Sequence, residues 1–120
     1  MKYQIELLTG YIKATLSDRQ ADEETRQLWD AVLDALRQHN VGRVLLSVKQ
    51  SKAVLDVENF GFTTVLAQLA VMNRAKVALV SDTDAVAASH AAIERVASQR
   101  GLQIKAFRDE QAAAAWLTGD

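Results

Sequence analysis

The sequence predicts an α/β sandwich: a mostly parallel sheet opened by an antiparallel hairpin, in the element order β-β-α-β-α-β-α-β-α. Three observations carry that reading. Two alternating runs, Lys2–Leu8 and Tyr11–Leu16, flank the short turn signal Thr9-Gly10. Further on, short apolar runs alternate with segments of helical period, the pattern of parallel strands joined by right-handed crossovers. Finally, proline is absent and no Gly/Ser-rich linker breaks the pattern, so residues 1–120 read as one domain.

Each element has its own local reason. In the hairpin, Tyr3, Ile5 and Leu7 share one side of the first run, and Ile12, Ala14 and Leu16 share one side of the second. A long helix follows, about Asp22 to His39, with Thr25, Leu28, Trp29, Val32, Leu33 and Leu36 at helical spacing. Acids at 22–24 open it and Arg37 lies near its end, the charge order that complements the helix dipole. Asn40 and Gly42 suit a left-handed stop. The run Val44–Val48 is nearly all apolar, as expected of a strand covered on both faces. A helix over 57–72, capped by Asp56, leads to a second buried-type strand, Lys76–Val80. Asp84 is placed to cap the next helix, which runs to Arg100 and stops at Gly101. Leu102–Phe107 is the last strand, and Asp109-Glu110 open a short final helix ending near Trp116-Leu117.

Composition narrows the function classes. With 49% hydrophobic and 24% charged residues the chain is a folding, globular one. At this length it buries roughly two-thirds of its unfolded surface, enough for a core without covalent staples. It has no cysteine, so it makes neither disulfides nor a thiolate metal site, in keeping with a reducing cytoplasm. The net charge is −1, and the fourteen Lys and Arg are scattered without aromatic interleaving. Nucleic-acid binding needs clustered basic charge, so none is expected. The opening MKYQIELLTG does not read as a signal peptide, and no run approaches the ~18 apolar residues of a membrane span.

The segment "LDVENFGFTTVLAQLAVMN", Leu55 to Asn73, is the unusual one. Stepping 100° per residue puts Phe62, Val65, Leu66, Leu69 and Met72 on one apolar stripe. A second stripe holds Val57, Phe60, Ala67 and Val71. A helix lying on a sheet needs one such stripe. The other must touch a neighbouring helix, a partner chain or an apolar ligand, since exposed apolar patches of a few hundred Å² mark interaction sites.

Catalytic and metal chemistry finds little support. His90 and Glu94 lie four apart, but two ligands are too few for a metal and a solvated pair explains them. His39 sits favourably at a helix C-terminus. The five glycines form neither a Gly-x-Gly-x-x-Gly nor a P-loop, and no Gly-x-Ser-x-Gly occurs. Asp82 and Asp84 follow a strand, where a Mg²⁺ phosphatase would place carboxylates, yet no second acidic cluster joins them. Trp29 and Trp116 read as core residues. No cofactor is implied. Ligands of open α/β sheets bind beyond the carboxyl ends of the strands, and that rim would carry Lys49, Ser51, Lys52, Asn59, Ser81 and Asp82. Ordinary solvated loops account for the same polarity.

The opening hairpin, "GRVLLSV" after a long helix, "KVALVSD" and the ending "RGLQIKAFRDEQAAAAWL" together resemble the SpoIIAA-like proteins of the STAS superfamily. The resemblance implies the STAS sandwich and a non-enzymatic bacterial regulatory module. Sporulation-type antagonists carry Asp-Ser-Ser-Gly-Leu before the second helix, with the first serine phosphorylated by the partner kinase. The matching stretch here is Glu58-Asn59-Phe60-Gly61-Phe62, so Asn59 replaces the switch serine and brings no hydroxyl. SpoIIAA-like domains lacking the serine are similar in fold to CRAL-TRIO lipid-transfer domains, an analogy of fold alone. Two functions are therefore expected to compete. One is a protein–protein contact, with self or another chain, anchored on Phe62, Val65, Leu66, Leu69 and Met72. The other is carriage of an apolar small molecule or lipid on the same stripe.

Overall fold

Alternation, a turn and alternation again produce the hairpin: β1 (Lys2–Leu8) pairs antiparallel with β2 (Tyr11–Ser17), Leu8 facing Tyr11. Gly10 closes the turn at φ +84°, a conformation glycine adopts without a Cβ penalty. In this computed structural model the described residues are 2–18, 22–51, 67–69, 71 and 75–119. The helix α1 (Asp22–His39) ends at Asn40, whose φ of +52° makes the left-handed stop, and Val41 N–H returns to Leu36 O at 3.0 Å. Then come β3 (Arg43–Lys49), β4 (Lys76–Ser81), α2 (Asp84–Gln99), β5 (Gln103–Phe107) and α3 (Glu110–Thr118). Between β3 and β4, residues 67–69 are helical, within the segment expected to form a helix over 57–72. The expected cap Asp56 lies outside the described residues.

The sheet order is β1-β2-β3-β4-β5, antiparallel in the hairpin and parallel from β2 onward. Side-chain alternation divides the core. Ile12, Ala14, Leu16, Val44, Leu46, Val48, Val77, Leu79 and Ile104 point to one face. There they meet Leu28, Trp29, Val32, Leu33 and Leu36 of α1, Val86, Ile93 and Ala97 of α2, and Leu69. The opposite face holds a smaller cluster of Leu45, Ala78, Val80, Ala113 and Leu117, roofed by α3.

Three local expectations are corrected. Thr83, not Asp84, is the N-cap of α2: its Oγ1 accepts from Val86 N–H at 3.3 Å. Asp84 is the first helical residue, and its carboxylate pairs with Arg108 at 2.9 Å. His90 and Glu94 are not a solvated pair. His90 is 4% exposed, and burial lowers its imidazole to about 4, so it is neutral. Glu94 turns instead to β5, where its Oε1 accepts Ala106 N–H at 2.8 Å. Trp29 is in the core, whereas Trp116 is half-buried and packs against Phe107 with ring centroids 5.8 Å apart.

The final helix is held at both ends. Asp109 caps it, accepting from Gln111 and Ala112 N–H at 3.3 and 3.2 Å, a contribution of about 1 kcal/mol. At the other end the buried Lys76 donates to Trp116 O at 3.1 Å and Gly119 O at 3.4 Å, with its Nζ 4.8 Å from the Trp116 ring centroid. Arg43 donates to Leu117 O. The helix has no basic residue in its own last turn, so two cations from the sheet meet the negative end of its dipole.

Candidate functional site

Parallel pairing brings the C-terminal ends of β2, β3 and β4 to one rim, with Ser17 beside Lys49 and Val48 beside Ser81. Chain direction must change abruptly there, and Asp18 and Gln50 do so at φ +57° and +49°. The rim ties itself together. Asp18 N–H donates to Lys49 O at 3.2 Å, and Gln50 N–H reaches the Asp82 carboxylate at 3.2 and 3.4 Å. Ser51 Oγ donates to Lys49 O at 2.9 Å. Four of the expected rim residues, Lys49, Ser51, Ser81 and Asp82, therefore do share one edge of the sheet. Lys52 and Asn59 lie outside the described residues.

These four groups differ in availability. Lys49 is exposed, while the Asp82 carboxylate is engaged by backbone N–H. Ser81 is buried, and its Oγ has no hydrogen-bond partner among the described residues. Two rim members escaped the sequence reading. Asp18 directly follows an alternating strand and could have been found from that position. Gln50 could not, because nothing in its chemistry announces a left-handed backbone.

The apolar stripe sorts differently. Leu69 is 1% exposed and packs in the main core, so its side chain serves its own fold and is corrected from partner anchor to core residue. Two residues along, about 200° around a helix, Val71 is 85% exposed, and Ala67 is exposed as well. At these positions the first stripe faces inward and the second faces out. The turn is fixed against α1 by Arg37, whose guanidinium donates to Gln68 Oε1. Phe62, Val65, Leu66 and Met72 lie outside the described residues, as do Val57 and Phe60.

A separate groove of about 600 Å³ follows the β5 edge, lined in part by Glu94, Arg95, Leu102, Ile104, Lys105 and Trp116. It shares no residue with the expected site. Among the described residues no group of three His, Asp or Glu side chains could hold a metal, and no helix is long and apolar enough to cross a membrane. A family model described as SpoIIAA-like matches residues 11–118. No curated protein matches the chain significantly.

Proposed function

The chain belongs to the SpoIIAA-like family, and from that premise we propose that it is a non-enzymatic binding module that works through a protein–protein contact. The contact surface is centred on the exposed Ala67 and Val71. The single observation that carries this reading is the split between Leu69, 1% exposed, and Val71, 85% exposed. Leu69 satisfies the core, and Val71 with Ala67 is left for something else to cover.

A phosphoserine switch is not part of the proposal. Asn59 stands where the sporulation-type antagonists that the chain resembles carry their serine, and an amide cannot accept a phosphoryl group by that route. Recognition then rests on shape and apolar contact rather than on a charge that appears and disappears.

The test compares the tagged parent chain with Val71→Glu, after circular dichroism has established that both fold alike. A protein that co-purifies stoichiometrically with the parent and is lost from Val71→Glu supports the reading. Equal retention by both overturns the placement of the surface. Native mass spectrometry of the same preparations supplies the other arm. A bound small apolar molecule in place of a protein would turn the assignment to a carrier.

A further inference from the structure

We propose that the free edge of β1 is a self-association surface, on which two copies pair β1 to β1, antiparallel, across a two-fold axis beside Gln4. This edge is separate from the exposed residues around Val71. The two ends of the sheet are treated unequally.

The sheet ends at β1 and β5. At β5 the chain protects itself: Glu94 takes the Ala106 N–H at 2.8 Å, and a carboxylate occupies the edge. At β1 it does not. Leu8 and Tyr11 flank a two-residue turn and form a hydrogen-bonded pair, so by alternation Lys2, Gln4, Glu6 and Leu8 bond to β2. Tyr3, Ile5 and Leu7 then direct their N–H and C=O groups to the open side. Among the described residues nothing outside β2 bonds to that side. The register runs unbroken from Lys2 to Leu8, without bulge or proline, and such an edge templates another strand.

The side chains select the occupant. Tyr3 and Leu7 are 47% and 52% exposed on the same face as Ile5, so the strand carries apolar surface that α1 leaves partly uncovered. Lys2 and Glu6 lie on the other face. In antiparallel pairing about Gln4, Lys2 of each copy stands opposite Glu6 of the other, and Tyr3 stands opposite Ile5. Moving the axis to Ile5 sets Glu6 against Gln4 and Lys2 against Leu8. Moving it to Glu6 sets that carboxylate against its own copy. The strand is charge-complementary to itself in one register, which favours a second copy over an unrelated strand.

The chain has no cysteine, so Gln4→Cys introduces a single thiol at the axis, within disulfide reach of its own copy. Thr15→Cys, one strand inward, is the control. Sedimentation velocity of the parent should show a dimer that grows with concentration. Mild oxidation should cross-link Gln4→Cys far faster than Thr15→Cys. Tyr3→Pro removes an outward N–H and spares the β1–β2 ladder. It should weaken association roughly tenfold or more, since the symmetric pair loses two hydrogen bonds, with the circular dichroism unchanged. Lys2→Glu should weaken it as well, and less so at high salt. A parent that stays monomeric, with Gln4→Cys cross-linking no faster than the control, overturns the proposal. So does a dimer that survives both Tyr3→Pro and Lys2→Glu unchanged. Val71→Glu leaves this edge intact, so the two readings fail separately.

Discussion

His90 is a histidine that the fold keeps uncharged. Its side chain is buried on α2, Nδ1 has no hydrogen-bond partner among the described residues, and desolvation lowers it to about 4. An unfolded chain takes up that proton near 6.5, so the unfolded state binds more protons than the folded one as pH falls from about 7 toward 4. Stability from this residue is fully present above about pH 7 and declines through that window. At pH 5 the loss is about 2 kcal/mol. Urea unfolding at pH 7 and pH 5 should show it as a lower midpoint, and His90→Leu should remove most of the difference. Lys76 is the opposite case, a cation that the fold buries because it has work for it. Lys76→Met keeps the stem and deletes the ammonium, leaving the Trp116 and Gly119 carbonyls without their donor. The expected cost is about 1–2 kcal/mol, read as a lower thermal midpoint.

At the scale of elements, residues 67–71 give the sharpest contrast. Leu69→Ala opens a cavity in the main core and should cost about 2–4 kcal/mol, whereas Val71→Ala should change stability by no more than about 0.5 kcal/mol. Denaturant midpoints of the two variants check this directly; equal effects would contradict the orientation of the turn. The same residues mark how far sequence reading goes. Period and turn chemistry recovered the hairpin, α1 and the buried strands, because apolar period and turn residues can be read within a few positions of the chain. Helical period also lays out two apolar stripes over 57–72 as an expectation, but it is symmetric about the helix axis and could not say that Leu69 would be buried and Val71 exposed. That choice is made by the main core that Leu69 joins and by Arg37 of α1, which holds Gln68 from thirty-one residues away. The same limit explains His90 and Glu94. Four residues apart, they read as partners on a solvated face. Packing on the sheet buries one, and the edge of β5, which sequence cannot locate beside α2, takes the other.

Over the whole molecule the two faces of the sheet are unequally covered. One carries α1, α2 and Leu69 over a broad core; the other carries α3 on Leu45, Ala78 and Val80. Beyond α3 that second face turns polar, with Lys13 of β2 reaching Glu110 across the gap and Gln4, Glu6 and Thr15 exposed or half-buried beside it. The Lys13 ammonium is held above its usual value, chiefly by its hydrogen bond to Glu110, but the pair is partly exposed and adds little to stability. The roof therefore rests on a small apolar cluster, one N-cap and the two cations at its C-terminal end. A unit secured by so few buried groups opens before the main core does. Native-state hydrogen exchange should find the amides of α3 opening at a lower free energy than those of β3 and β4. Lys76→Met should lower the α3 value by about the same 1–2 kcal/mol as it lowers its attachment, with β2 and α1 shifting less. If α3 exchanges together with β3 and β4, at the free energy of global unfolding, then the molecule is a single cooperative unit. In that case the small cluster is coupled to the large one through the shared strands more tightly than its size implies.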